Sequence, residues 1–299
     1  MNPERSGLVK VRNISLTLLF GLTSLAGDTA NNTVYSNEVG TRATLSDGIN
    51  YKQEIVDSPS TLRIHTIEIP DISRVGFLVT PPQTINGWET SAQTLVDQIG
   101  GVVDRFKVVV AVNANFFEPF ESGIYPNYGD GINILGQAVS QGIEFSPPQE
   151  KYPVLCIGDI LSVDESACPT ETENVIAGNV LLINEGEIAD FYDDNEKHPR
   201  TAMGISEDGK SLWIVVVDGR QKKSEGVTLT KLSEILLRYN VYQAINFDGG
   251  GSCTLIFVDE NGNIKLLNIP VNKPSAYSPG RMGLTRNIGD SLMIGNSKE

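Results

Sequence analysis

The spacing of hydrophobic and polar residues predicts a chain built largely from short strands. Residues 62–69 (LRIHTIEI) alternate between the two classes, which is typical of a strand with one buried face. Residues 107–112 (KVVVAV) are almost entirely apolar, which favours a fully buried strand. Further strands are predicted at 75–79, 153–157, 180–184, 187–191, 201–205, 212–217, 243–247, 254–258 and 264–267.

Two segments show the period of a helix instead. One spans residues 90–100, with Thr90 as its cap, and the other spans residues 229–239. The second helix lies between two predicted strands, so it predicts a β-α-β crossover. Residues 118–150 are rich in Gly, Pro and Asn and predict a long loop region. The expected fold class is therefore α+β, with a mixed β-sheet core, flanking helices, one β-α-β crossover and several hairpins.

The N-terminus has the features of a secretory signal peptide. Lys10 and Arg12 precede an apolar stretch at 14–25, and small residues favour cleavage before Gly27. The alternative is a retained N-terminal anchor. We therefore predict a signal peptide at 1–26, a loosely held polar arm at 27–60 and one catalytic domain at 61–299. The protein would be exported to the periplasm or outside the cell, with no integral membrane association after cleavage.

Composition and charge narrow the classes of partner. The chain has 299 residues, 40% of them hydrophobic, and a formal net charge of −14, so it is globular and nucleic acid is not an expected partner. Only two histidines and three cysteines occur, which argues against a His- or Cys-ligated zinc enzyme. We expect no cofactor. Calcium or another divalent metal is the alternative, at the acidic residues Asp190, Asp193, Asp194 and Glu196.

The cysteines fit an exported protein. Cys156 and Cys168 flank a short acidic segment and predict a disulfide. Cys253 would then be unpaired, and we interpret it as a packing residue.

Strand register predicts where the polar residues meet. If residues 201–205 and 212–217 form a hairpin around Asp208-Gly209, Arg200 lies opposite Val217. The segments 198–200 (HPR) and 218–220 (DGR) then share one edge of the sheet. His198, Arg200 and Arg220 could equally be ordinary exposed or edge residues.

The crossover predicts a second polar group at that edge. Asp218 and Asp248 each follow a predicted strand, and parallel strands in one sheet end on the same side. Gly249, Gly250 and Gly251 would let the backbone approach a ligand and expose its N–H groups. The alternative for these glycines is a tight strand-to-strand turn.

Paired carboxylates next to arginines suit one chemistry in particular. Asp pairs carry out glycoside hydrolysis, and arginine binds phosphate through two hydrogen bonds. A phosphodiester that carries a sugar requires both groups.

Five motifs in order strengthen this interpretation. They are NANFF (113–117), HPRTAMG (198–204), DGR (218–220), NFDGGGS (246–252) and TRNIGDSLMI (285–294). Over roughly residues 105–295 the chain resembles the phosphodiester glycosidase family. The resemblance implies an exported α+β catalytic domain that removes a sugar from a phosphodiester. It implies active-site roles for Asn113, Arg200, Asp218, Arg220, Asp248, Ser252 and Arg286. Ala114 and Asn115, where the family often has Gly, and Cys253 depart from its pattern.

The expected site follows from these observations. Asp218 and Asp248 would form the catalytic pair, Arg200 and Arg286 would hold the phosphate, and Asn113 would orient a sugar hydroxyl. The expected substrate-binding set is Asn113, Arg200, Arg220, Gly249, Gly250, Gly251, Ser252 and Arg286, and the partner is a phosphodiester-linked sugar or glycan. Two alternatives remain, a metal-dependent phosphodiesterase and a non-catalytic envelope protein that binds phosphorylated glycans.

Overall fold

The computed structural model of the chain describes residues 39–57, 60–119, 126–271 and 285–297. The signal peptide predicted at 1–26 lies outside these residues. Within the described ranges, no helix combines the length and the apolar character that a membrane crossing requires.

The described residues form twenty-one strands and two α-helices. The strands of the first half are β1 (Val39–Ser46), β2 (Ile49–Val56), β3 (Leu62–Ile69), β4 (Gly76–Val79), β5 (Thr90–Ser91), β6 (Phe106–Asn113), β7 (Phe117–Glu118), β8 (Gly131–Ile134), β9 (Ala138–Ser140) and β10 (Ile143–Ser146). Those of the second half are β11 (Val154–Ile157), β12 (Leu161–Asp164), β13 (Asn174–Ala177), β14 (Val180–Asn184), β15 (Glu187–Ile188), β16 (Arg200–Ile205), β17 (Leu212–Val217), β18 (Gln243–Phe247), β19 (Leu255–Val258), β20 (Ile264–Leu266) and β21 (Ser291–Ser297). The helices are α1 (Leu95–Gly100) and α2 (Leu229–Leu237), and short 3₁₀ turns occupy Ile72–Arg74 and Gly250–Ser252.

Four sheets contain these strands. The largest has eight strands in the order β1-β2-β3-β17-β16-β18-β14-β15. Two sheets have five strands each, in the orders β10-β9-β13-β11-β12 and β20-β19-β6-β21-β4, and a small sheet has the order β5-β8-β7. Neighbouring strands in the central sheets pair antiparallel, as β16 does with both β17 and β18.

The main core lies between the large sheet and the two five-stranded sheets. Ile214 of β17, Val112 of β6 and Leu155 of β11 are buried in one hydrophobic cluster. The opposite face of the large sheet is covered by α2, where Leu232 packs in a cluster with Val215. Both faces of β17 are therefore buried, which explains why this strand is a nearly continuous apolar run.

The predicted fold class is wrong. Strands account for 46% of the described residues and helices for only 9%, and the sheets are antiparallel rather than a helix-flanked α+β core. α1 begins at Leu95, with Thr94 as its cap, because residues 90–91 pair with β8 instead. The loop region predicted at 118–150 contains three strands, β8 to β10. These strands contain glycine and polar residues, and tertiary pairing supplies the order that their local pattern does not predict.

The N-terminal region also differs from the expected polar arm. β1 and β2 form a hairpin, and β2 pairs with β3 from Asn50 to Val56. Strand structure in the large sheet therefore begins at Val39, whereas residues 27–38 of the predicted arm lie outside the described residues.

The disulfide prediction is confirmed. Cys156 of β11 is bonded to Cys168, with their Cα atoms 5.6 Å apart. Cys253 is free and buried.

Candidate active site

The candidate site lies at one edge of the large sheet. β17 and β18 both pair antiparallel with the intervening β16, so they are parallel to each other and end on the same side. Arg200 begins β16 opposite Val217, as the predicted register requires. Asp218 and Asp248, which follow β17 and β18, therefore come to the same edge as Arg200.

The carboxylate of Asp218 is fully buried and fully bonded. Its Oδ1 accepts hydrogen bonds from the backbone N–H of Ile269 at 3.0 Å and from Nδ2 of Asn268 at 3.3 Å. Its Oδ2 lies 3.4 Å from Nε2 of His65. The structure thus places Asp218 at the expected edge, but beneath the loop at 268–269.

His65 is a polar residue of this region that the sequence interpretation missed. Its Nδ1 lies 2.9 Å from the hydroxyl of Tyr51, so Tyr51, His65 and Asp218 form a buried chain of contacts. Burial, with the nearby Asp218 charge, raises the pKa of Tyr51 to about 12. The signal available in the sequence was a lone histidine within a predicted strand. In the structure, the β3–β17 register pairs His65 with Val216, close to Asp218.

Asp248 has a different environment. Asp248 is 7% exposed, whereas Asp218 is 1% exposed. Its Oδ1 accepts the N–H of Gly249 at 2.8 Å, and its Oδ2 lies 3.6 Å from Nη2 of Arg286. Burial raises the pKa of this carboxyl, although Arg286, Ser252 and Gly249 oppose the shift. Asp248 is therefore the more accessible aspartate and the one suited to proton transfer.

Arg286 connects Asp248 to the glycine turn. Its Nε donates to Oγ of Ser252 at 2.9 Å, and its Nη2 contacts the same oxygen. Arg286 and Ser252, which only the resemblance implied, thus lie together beside Asp248. Guanidinium, carboxylate and hydroxyl form one cluster.

The turn at 249–252 does not present the expected set of backbone donors. The N–H of Gly249 donates to its own neighbour Asp248, that of Gly250 to the carbonyl of Pro199 at 2.9 Å, and that of Ser252 to the carbonyl of Gly249 at 3.2 Å. Three of the donors are therefore used within the protein, since a tight turn must satisfy its own backbone.

The glycines instead allow close approach by neighbouring groups. A Cβ on Gly249 would lie 3.0 Å from the carbonyl oxygen of Pro199, and one on Gly250 would lie 3.0 Å from Nη1 of Arg220. Gly250 also has a φ of +63°, a conformation that favours glycine. Arg220 can rest against this turn because no side chain occupies the space.

Arg200 and Arg220 border the turn with His198. The Nε of Arg200 donates to the carbonyl of Val227 at 3.3 Å, and burial lowers the pKa of this guanidinium. The Nη2 of Arg220 lies 3.0 Å from Nδ1 of His198. Two guanidinium groups thus lie at the edge that also holds Asp248.

The side chain of Asn113 is buried and bonded within the protein. Its Nδ2 donates to the carbonyl of Asp248 at 2.6 Å, and its Oδ1 accepts from the hydroxyl of Thr201 and the N–H of Thr254, both at 3.1 Å. Asn113 thus supports the Asp248 backbone, and its sugar contact stays a prediction. Asn115 is likewise buried among backbone groups, and its Oδ1 accepts the N–H of Ala177 at 2.8 Å.

Two further buried groups lie beneath the site. The Sγ of Cys253 lies 3.4 Å from the hydroxyl oxygen of Thr201, and burial raises the pKa of the thiol to about 12. Asp290 accepts the N–H of Asn115 through Oδ1 at 2.8 Å, whereas its Oδ2 has no hydrogen-bond partner among the described residues. Burial raises the pKa of Asp290 to about 7. The sequence motif contained Asp290, but its burial could not be inferred from the motif.

Asp193, one of the acidic residues considered for calcium, bonds to the start of α2. Oδ2 of Asp193 accepts the N–H of Thr230 at 2.7 Å, in the first turn of α2. Across the part of the chain that the structure describes, no group of three or more His, Cys, Asp and Glu residues is arranged to hold a metal ion.

Two curated relatives match short segments of the chain. An uncharacterised SPbeta prophage-derived protein of Bacillus subtilis is 39% identical over 84 residues, which are 26% of this chain and 13% of that protein. The N-acetylglucosamine-1-phosphodiester alpha-N-acetylglucosaminidase of Bos taurus is 34% identical over 92 residues, which are 27% of this chain and 17% of that enzyme. The matches span less than a fifth of either relative.

The fold of this chain matches a solved structure over most of the length of both chains. The catalytic domain of the zebrafish N-acetylglucosamine-1-phosphodiester alpha-N-acetylglucosaminidase, auto-inhibited by its pro-peptide, has a TM-score of 0.59 at 21% identity. The match covers 87% of this chain and 89% of that domain. A family profile described as phosphodiester glycosidase matches residues 106–294, which contain every residue of the site described above except His65 and Tyr51. The chain therefore belongs to the phosphodiester glycosidase family.

Proposed function

We propose that the protein is an exported hydrolase that removes a sugar from a sugar-1-phosphodiester by cleaving the glycosidic C–O bond. One observation carries the proposal. Arg220 and Arg286 both lie against the turn at 249–252, and the same turn begins at the buried carboxyl of Asp248. Arg200 lies nearby, where a Cβ on Gly249 would be 4.0 Å from its Cδ. Family membership and the relatives that act on sugar phosphodiesters support the same conclusion.

The arginines would bind the phosphate. Guanidinium groups bind phosphate oxygens through two parallel hydrogen bonds and remain charged at any working pH. Their charge also stabilises the phosphomonoester that leaves. Because phosphate is already a good leaving group in such a cluster, the reaction needs little acid catalysis at the leaving oxygen.

Asp248 would act on the sugar side. We assign it as the base that takes a proton from the attacking water, because a carboxyl with a raised pKa is a stronger base near neutral pH. The water oxygen bonds to the anomeric carbon as the bond from that carbon to the phosphate oxygen breaks. The bonding electron pair leaves with the phosphomonoester. Asp218, whose two oxygens are bonded within the protein, would hold the loop at 268–269 and contribute fixed negative charge.

Isotope placement tests the reaction. Hydrolysis of a sugar-1-phosphodiester in ¹⁸O-labelled water by C–O cleavage puts the label on the anomeric hydroxyl, whereas P–O cleavage puts it on the phosphate. The phosphate is the safer reporter, since the anomeric oxygen exchanges with water. Label in the phosphate would overturn the glycosidase assignment and support a metal-dependent phosphodiesterase.

Two controls address the alternatives. A phosphodiesterase that requires bound metal ions loses activity in EDTA, whereas the proposed reaction does not depend on added metal. A non-catalytic binding protein would retain phosphorylated glycans without releasing sugar. Tight binding with no turnover over a panel of sugar-1-phosphodiesters would contradict the proposed activity.

A further inference from the structure

The contact between His198 and Arg220 defines the protonation state of the histidine. Nη2 of Arg220 lies 3.0 Å from Nδ1 of His198. A guanidinium only donates hydrogen bonds, so Nδ1 must accept and cannot carry a proton. His198 is therefore in the neutral form with its hydrogen on Nε2.

The backbone of His198 is held in place from two sides. Its N–H donates to the carbonyl of Val227 at 3.2 Å, and its carbonyl accepts the N–H of Val227 at 3.0 Å. A Cβ on Gly226 would lie 2.6 Å from the carbonyl carbon of His198, so the two segments are in direct contact. The imidazole thus starts from a fixed backbone position.

The Arg220 side chain contacts this acceptor and the glycine turn. Its own backbone has a φ of +59°, and its guanidinium lies over Gly250, where a Cβ would be 3.0 Å from Nη1. The side chain thus runs between His198 and the glycine turn. A change at either end would alter where the guanidinium points.

We propose that His198 is a positioning residue that helps to hold Arg220 against the glycine turn for anion binding, and that protonation of His198 removes this contact and weakens that binding. The inference deepens the proposed function, and rests on it in taking Arg220 as a phosphate ligand. Protonation places a hydrogen on Nδ1, which removes the acceptor and brings two cations together.

The charged groups around His198 set the pH range of this change. Burial, followed by the charges of Arg220 and Arg200, lowers the pKa of His198 below its ordinary 6.5, whereas Asp194 and Glu196 oppose the shift. The neighbouring Lys197 is paired with Glu225 at 2.8 Å. His198 is therefore neutral at neutral pH and becomes protonated in the acid range.

The positioning role predicts that protonation of His198 weakens anion binding, whereas the added charge alone would strengthen it. Adding a positive charge beside an anion site should tighten anion binding, whereas loss of a positioned guanidinium should weaken it. The direction in which anion affinity changes with pH therefore distinguishes the positioning role of His198 from a purely electrostatic effect of its charge.

NMR of the free protein gives the first test. The chain contains only His65 and His198, so ¹⁵N-histidine labelling gives two ring spin systems, and a His198→Asn variant assigns them. The expected result is the Nε2–H tautomer for His198 at neutral pH. An Nδ1–H tautomer, or a ring already protonated at neutral pH, would overturn the proposal. This measurement does not depend on catalysis.

Binding of dimethyl phosphate gives the second test. Its single charge is constant between about pH 5 and pH 8, so any change in affinity arises in the protein. We expect wild-type affinity to fall about tenfold or more on acidification, as expected for a lost charge-assisted hydrogen bond. His198→Asn retains an acceptor oxygen near the Nδ1 position and should bind without this pH dependence. His198→Leu should bind weakly at both pH values, and Tyr192→Phe, at an 86% exposed site, should behave as wild type.

The outcomes separate this inference from the proposed function. Affinity that rises on acidification, no binding at any pH, or a pH dependence that persists in His198→Asn would each overturn the role of His198. Failure of the wild-type protein to hydrolyse any sugar-1-phosphodiester would overturn the proposed function, while the binding and NMR results would still decide the positioning role.

Discussion

At the scale of single residues, Asp218 and Asp248 end two parallel strands but have different surroundings. Asp218 is buried, and its two oxygens contact His65, Asn268 and Ile269. Asp248 is more accessible and contacts Arg286. Burial raises the pKa of Asp248, so this carboxyl is the one of the two with a raised tendency to hold a proton.

Asparagine substitution should distinguish the proposed catalytic role of Asp248 from the structural role of Asp218. Asp248→Asn should lower kcat by about 100-fold or more, because the amide cannot accept a proton, while the melting temperature stays near that of wild type. Asp218→Asn should lower the free energy of unfolding by about 1–3 kcal/mol, because an NH₂ group then faces donors that need an acceptor. Steady-state kinetics and urea denaturation measure both effects. A stable Asp218→Asn variant would contradict the structural role.

Asp290 provides a prediction of pH-dependent stability. Its pKa is raised to about 7 in the folded state, so its contribution to stability is present in acid and is lost as the pH rises toward that value. In Asp290→Asn this dependence disappears, while Oδ1 can still accept from Asn115. Between about pH 5 and pH 8 the stability of the variant relative to wild type should therefore increase by about 2–3 kcal/mol.

Urea denaturation of both proteins at the two pH values measures this change. Taking the difference between variant and wild type cancels the titration of the other acidic groups. A difference that is independent of pH would show that Asp290 is not protonated in the folded protein near neutral pH.

At the scale of elements, the turn between β18 and β19 brings the arginines together. Gly250 and Gly262 both have a positive φ, but only Gly250 has a neighbour, Arg220, within contact distance of a Cβ. The turn after β18 is therefore constrained by packing, whereas the turn at Gly262 is constrained by backbone conformation alone.

Matched alanine substitutions test this distinction. Gly250→Ala and Gly262→Ala should each lower stability by about 1 kcal/mol, the cost of a Cβ at positive φ. Only Gly250→Ala should also raise KM for the phosphodiester, because its Cβ displaces Arg220. Equal KM values for the two variants would show that Arg220 does not depend on the turn.

The disulfide links Cys156 of β11 to Cys168 in the segment that follows β12. Its loop spans a sequence separation of 12 residues, so replacing both Cys156 and Cys168 by serine should lower stability by about 3 kcal/mol. Unfolded, unreduced protein should show one reactive thiol, from Cys253. Chemical denaturation and thiol titration check these expectations, and three thiols without reduction would contradict the bond.

At the scale of the whole molecule, the N-terminal sequence predicts export. The basic residues and apolar run at 10–25 predict cleavage before Gly27. Mass spectrometry of the mature protein from the secreting cell should therefore show Gly27 as the first residue. Recovery of an intact N-terminus from a cytoplasmic product would contradict export, and recovery from the membrane fraction would support the retained anchor.

Local pattern predicted the strands with strong periodicity. β3, β14, β17 and β18 have the predicted bounds, because their apolar residues are buried on one or both faces. β1, β2, β8 and β13 were missed, and the helical content was overestimated. Polar or short strands carry little periodicity of their own and become ordered by pairing with neighbours.

For the site, the sequence by itself determined which edge of the sheet is polar. The register of β16 with β17 and the parallel direction of β17 and β18 place Arg200, Asp218 and Asp248 together. Only the tertiary structure decided how deeply each of these groups is buried and what it contacts. It buries Asp218 and Asn113, brings Arg286 to Asp248 and places His65 behind the site. The physical reason is that register depends on local chain geometry, whereas burial and hydrogen-bond partners depend on segments distant in sequence.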